Sequence, residues 1–183
     1  MGRRFLYAAG FLALFLFSSP RYALAEDKTE GRYFTIYFSS GLDSRALAQQ
    51  LNISPAEGII AGENPGSGPL DLAAMMDTLF LQVCNILDMQ MYSFHGAIKI
   101  CLSRSELGSI YRSLFNAELG PMKSFYVYSN NTIYLSSEEF RREIIGHEIA
   151  HAVISHYFVV SPSVKIQEVL SGYVEYQLRK VSR

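Results

Sequence analysis

The chain has 183 residues, 49% of them apolar, with 12 Tyr, 12 Phe and no Trp, enough for the core of one compact domain and short for two. Sixteen Lys and Arg stand against 17 Asp and Glu. No stretch concentrates the basic residues, which argues against nucleic acid as a partner.

Residues 1–25 read as an address. Arg3 and Arg4 precede an apolar run of 13 residues, 5–17, and Ala23-Leu24-Ala25 then offers small side chains at cleavage spacing. A retained anchor is the competing reading, but the run is shorter than the roughly 20 residues that cross a bilayer. The expected product is one domain of residues 26–183, periplasmic or extracellular, with no stable membrane anchor after cleavage. Three basic residues (Arg3, Arg4, Arg21) leave with the leader, so the remaining balance is 13 against 17, or −4.

Residues 26–32 are a charged lead-in. Residues 33–38 have the aromatic and β-branched content of a strand, which Ser39-Ser40-Gly41 ends. Asp43 or Ser44 caps a short helix to Leu51. Residues 61–69 are loop by composition. Asp71 caps a helix in which Leu72, Met75, Met76, Leu79, Phe80 and Val83 recur at helical spacing, a core pattern. Residues 94–102 read as a strand, and Ser103 or Ser105 opens a helix to about Phe115. Residues 125–128 and 133–135 form a hairpin around Asn130-Asn131. Asn130-Asn131-Thr132 and Asn52-Ile53-Ser54 match the glycosylation sequon, relevant in a host that glycosylates exported proteins. Ser136 and Glu139 form a capping box for a long helix to about Phe158. A second helix runs from Ser161-Pro162 to about Lys180. The fold class expected is α+β, a small mixed sheet with the two C-terminal helices against it.

Cys84 and Cys101 are the only cysteines. In an oxidising compartment they allow a disulfide, adding about 3 kcal/mol in the entropic model. The alternative is two buried free thiols. No further Cys or nearby His completes a metal set with them.

His147-Glu148-Ile149-Ala150-His151 reads H-E-x-x-H. Two imidazoles four apart share one helix face and can grip one metal ion beside a carboxylate. Phe140, Ile144, Ile154 and Phe158 extend the same stripe, so the imidazoles lie in an apolar row and need a partner. The bland reading is two core histidines satisfied by carbonyls. Zinc asks for a third protein ligand and leaves the fourth position to water in a catalytic site. His156 lies nine residues from His147, about 900° of helix and hence on the opposite face. Glu168 fits better. The first helix climbs about 10 Å after His151 and the second descends about 9 Å to Glu168, so antiparallel packing brings them level. Otherwise Glu168 is a surface carboxylate. Glu175 lies about 10 Å further on, where it can orient a histidine N–H.

The H-E-I-A-H sequence followed by a glutamate on the next helix resembles the gluzincin branch of zinc metallopeptidases, the thermolysin-like enzymes. Ser161-Pro162 with Gln167-Glu168-Val169-Leu170-Ser171-Gly172 is similar to the P…E-G-x-A segment of small peptidase-MA-like domains. The likeness is specific over residues 136–178 and architectural over 33–135. It implies a minimal zincin-like domain in which His147, His151 and Glu168 hold Zn2+ and Glu148 is the catalytic base. It implies a peptide or protein substrate, which an extended strand such as 133–135 can pair with. Gly172 stands where thermolysin-like enzymes carry an Asp that braces a zinc-bound histidine. No counterpart of their C-terminal helical domain follows, so their oxyanion-stabilising histidine has no match in these residues. Of Tyr157, Tyr173 and Tyr176, Tyr173 is the candidate for that role. The expected activity is an exported zinc metallopeptidase. The alternative is a non-catalytic cell-envelope module that keeps a zincin-like fold and binds a partner protein. Glu148 separates them, since a purely structural metal site has no need of it.

Overall fold

The computed structural model describes residues 26–54, 56–57 and 71–181; the expected leader at 1–25 and the expected loop at 61–69 lie outside them. Its architecture is α+β, a five-stranded mixed sheet with five helices among the described residues. The strands are β1 (Glu26–Glu30), β2 (Phe34–Ser39), β3 (Gly96–Cys101), β4 (Ser124–Val127) and β5 (Thr132–Ser136). Their spatial order is β1-β2-β3-β5-β4. Both outer pairs, β1 with β2 and β4 with β5, are antiparallel, and the two inner pairs are parallel.

Parallel neighbours need a crossover, and helices supply it. The helices α1 (Ser44–Leu51) and α2 (Leu72–Leu87) lie between β2 and β3, and α3 (Arg104–Phe115) lies between β3 and the β4–β5 hairpin. Asp43, Asp71 and Ser103 cap these helices, each accepting a backbone N–H. The last two helices, α4 (Arg142–Tyr157) and α5 (Val164–Val181), follow the sheet.

Strand alternation divides the interior in two. Phe34, Ile36, Ile98, Ile100, Ile133 and Leu135 enter the larger cluster with α2, α4 and α5. Cys101, Phe125 and Tyr134 point to the other face, where Leu107 of α3 completes a smaller cluster. Cys84 belongs to the first cluster and Cys101 to the second, and both are free thiols. The sheet stands between them, so the disulfide that the sequence allowed is not made.

Several expectations need correction. The charged lead-in contains β1, paired with β2 over its full length. An outermost strand takes its hydrogen bonds from one neighbour and can stay polar, so hydrophobic patterning does not mark it. The turn before β2 is pinned from α2: buried Asp77 accepts from Arg32 N–H at 2.6 Å and Tyr33 N–H at 2.9 Å. Gly31 is required there, because a Cβ would sit 2.7 Å from the Asp77 carboxylate. The capping box at Ser136 and Glu139 does not form. Ser136 is committed to the β5 ladder opposite Cys101, a 3-10 turn spans Ser137–Glu139, and Glu139 pairs with Lys123 and Arg141. The metal-motif helix therefore starts at Arg142, which removes Phe140 from its stripe, and α5 starts at Val164, beyond Pro162. The hairpin, by contrast, forms around Asn130-Asn131 as expected, turning through a 3-10 segment, Tyr128–Asn130, with Asn131 left-handed at φ 48°.

Candidate metal centre

Eleven of the sixteen residues of α4 are buried. This helix runs inside the core, so its two histidines are held by packing on most sides. Their rings project from α4 toward α5, which lies antiparallel across a close contact. Gly146 makes that contact: a Cβ there would come 2.1 Å from Leu178 Cδ1.

Three donor atoms converge where the helices meet. His147 Nε2 and His151 Nε2 are 3.2 Å apart. Glu168 Oε2 is 3.6 Å from the first and Glu168 Oε1 is 3.5 Å from the second. Tetrahedral zinc with bonds of about 2.0–2.2 Å places neighbouring ligand atoms about 3.3–3.6 Å apart. The donor set and its spacing therefore fit a divalent ion such as zinc. Burial, and then the neighbouring His147, press the His151 ring toward its neutral, ligating form, while Glu168 and Gln167 oppose them.

Each histidine also has a group behind it. His147 Nδ1 is buried without a hydrogen bond, and Glu175 Oε2 lies 3.4 Å from it. Glu175 is in turn held by Arg179, one turn further along α5. The Gln167 side chain bonds to the His151 ring, and its amide nitrogen donates to Pro162 C=O at 2.9 Å. The Gln167 interaction favours a protonated His151 ring, and an acceptor at that ring's outer nitrogen would fix a ligand tautomer.

Glu148 points the other way from the core, into the cleft, yet is only 6% exposed. Its Oε1 accepts from Ser124 Oγ at 2.7 Å, and the Tyr126 backbone N–H donates to the same carboxyl group. Burial pushes this carboxyl up to about 7, with Glu168 adding to the rise and the Ser124 and Tyr126 bonds opposing it. A group poised there can give or take a proton near neutrality.

These residues line a cleft of about 730 Å³. One wall is α4 and α5. The other is β4, with Met122, Lys123, Ser124 and Tyr126 at the cleft. This corrects the strand expected to meet a substrate. Residues 133–135 belong to β5, which is bonded on both sides, by β3 and β4. The strand at the cleft with a free edge is β4.

Tyr173 is also misplaced by the sequence reading. Five residues past Glu168 is about 140° round the helix. Its ring is exposed on the outer side of α5 and does not line the cleft. His156 lies away from the cluster, as the helix angle requires: its Nδ1 faces Ala152 C=O at 3.0 Å and its ring packs on Phe94 and Tyr128. Sequence reasoning missed Ser124, Gln167 and Arg179. Gln167 adjoins a candidate ligand and was within reach. Ser124 is 24 residues from Glu148, and no local pattern links them.

No protein-family model, no curated protein and no solved structure matches this chain.

Proposed function

We propose that this chain is an exported zinc metallopeptidase, with His147, His151 and Glu168 as ligands and Glu148 as general base. The observation that carries the reading is a His–His–Glu group, with the two Nε2 atoms 3.2 Å apart and one Glu168 oxygen 3.6 Å from the first and the other 3.5 Å from the second, beside a buried carboxyl. A structural metal site needs the first and has no use for the second. The export half of the reading rests on the leader sequence at residues 1–25.

A zinc ion bound here would polarise a scissile carbonyl and acidify a water molecule. The remaining work falls to the chain. Glu148 accepts the water proton and delivers it to the leaving amine, and a pKa near 7 suits both transfers. Ser124 and the Tyr126 N–H hold its carboxyl toward the cleft. Apart from the Tyr126 N–H, which Glu148 holds, the outer edge of β4 offers backbone N–H and C=O groups to an extended peptide, by β-augmentation. Glu175 and Gln167 keep the two imidazoles turned with Nε2 inward.

Elemental analysis and peptide-library cleavage test this on the purified chain and its Glu148→Gln variant. About one zinc per chain in both proteins, with cleavage by the parent alone, is the expected result. Equal cleavage by both marks a contaminant. Zinc without cleavage of any library peptide assigns the fold to partner binding.

A further inference from the structure

Residues 157–176 carry nine of the fifteen exposed large apolar side chains among the described residues. Val159 and Val160, at the tip of the turn between α4 and α5, are 104% and 82% exposed. The outer side of α5 continues this surface. Ile166, Val169, Tyr173 and Tyr176 are exposed at spacings of three and four, hence on one stripe. The opposite stripe, with Ser171, Val174 and Leu178, is buried. The α5 helix thus shows apolar character on two sides, and only one is covered among the described residues.

The charges on the exposed stripe itself have one sign, while the Glu168 side chain beside it, 56% exposed, reaches toward the histidines. Residues 157–164 carry none. On α5, Glu168 and Glu175 turn to the histidines and Arg179 to Glu175. Lys165 and Lys180 remain, near the two ends of the stripe, and the Lys180 ammonium lies 4.3 Å over the Tyr176 ring. An apolar patch of this extent marks an interaction surface. Two cations without an acid call for an anionic partner. A second copy of the chain does not meet that demand: a two-fold axis sets Lys165 against Lys180, or each against itself, in an apolar interface.

We propose that the 159–160 tip and the outer face of α5 dock on a bilayer surface bearing anionic headgroups. The two valines reach the acyl boundary, the tyrosine rings lie at headgroup depth and the lysines meet lipid phosphate. No helix among the described residues is long and apolar enough to cross a membrane, so α5 lies along the surface. Val164 lines the cleft and is exposed four residues after the 159–160 tip, so docking of the tip sets the cleft mouth beside the bilayer.

Flotation of the whole chain tests this with vesicles of phosphatidylglycerol and phosphatidylcholine, and with phosphatidylcholine alone. The parent floats with the anionic vesicles. The double change Val159→Asp, Val160→Asp weakens partition about tenfold or more. The double change Lys165→Gln, Lys180→Gln weakens it on the order of thirtyfold on anionic vesicles and leaves neutral vesicles unaffected. All four positions are exposed, and an unchanged thermal transition verifies that each variant folds. Glu168→Gln floats as the parent does, so this docking and the metal reading fail separately. Equal flotation of the parent and both double variants overturns the proposal, because residues 1–25 or another surface then carries the binding. So does a parent that ignores vesicles. A parent that forms a dimer abolished by the valine changes assigns the face to a second copy and overturns it. A parent that binds polyglutamate through the two lysines, and no vesicle, assigns it to an acidic protein with the same consequence.

Discussion

At the scale of single residues, the candidate centre depends on groups behind its ligands as much as on the ligands. Glu175 stands 3.4 Å from a buried His147 nitrogen that has no hydrogen bond. Replacing it with Gln removes the charge that favours an N–H there and frees Arg179. We expect zinc affinity to fall about 10- to 100-fold in Glu175→Gln, read by competition with a chelating dye. An unchanged affinity would mean that packing alone orients the ring. Glu148 has a signature in folding as well. Its carboxyl titrates at about 7 in the fold against 4.5 ordinarily, so the native state holds a proton that the unfolded chain has lost. Its contribution to stability is complete below pH 4.5 and declines as pH rises toward 7. Metal-free Glu148→Gln therefore lacks this decline and exceeds the parent by about 3 kcal/mol above neutrality. Denaturant titrations at acid and mildly alkaline pH measure the difference, and parallel pH profiles would refute it.

At the scale of elements, the decisive contact is α4 against α5. Gly146 lets the helices approach closely enough for Glu168 to reach both imidazoles. Ala at that position gains helix propensity, at most about 1 kcal/mol. Its Cβ must also displace Leu178, which is buried and whose Cδ1 would be 2.1 Å away. Overpacking of that kind costs about 1–3 kcal/mol, so the clash wins. Gly146→Ala should unfold at lower denaturant and bind zinc more weakly, because α5 shifts with Leu178. A gain in stability would show that Leu178 swings aside freely. The sheet matters through its order. Placing β5 inside and β4 outside gives the cleft a strand with a free edge and lets Ser124 and Tyr126 reach Glu148.

At the scale of the whole molecule, the two clusters on opposite faces of the sheet decide the fate of the thiols. Burial pushes both Cys84 and Cys101 up to about 12. The reactive thiolate is therefore scarce at neutral pH in either. A thiol-disulfide reagent should label neither cysteine in the native protein and both in denaturant, even after exposure to oxidant. Loss of both free thiols on oxidation, with a linking peptide in the mass spectrum, would contradict the fold at its centre.

What could be read along the chain was whatever one or two helical turns encode. Asp43, Asp71 and Ser103 announced their helices because a cap acts on the next three residues. His147 and His151 were legible as a pair because a spacing of four is a statement about one helix face. Glu168 followed from the rise per residue and an assumed antiparallel turn. The three donor atoms do lie together, whereas Tyr173, judged without its helix angle, faces outward. The remainder needed the chain folded on itself. A charged stretch became β1 only because β2 offered it a ladder. Ser136 left its capping role because β3 claimed it as a strand residue. Ser124 came to Glu148, and Cys84 parted from Cys101, through strand order and sheet face. Those are properties of which segments find each other, and no local spacing of residue types specifies them.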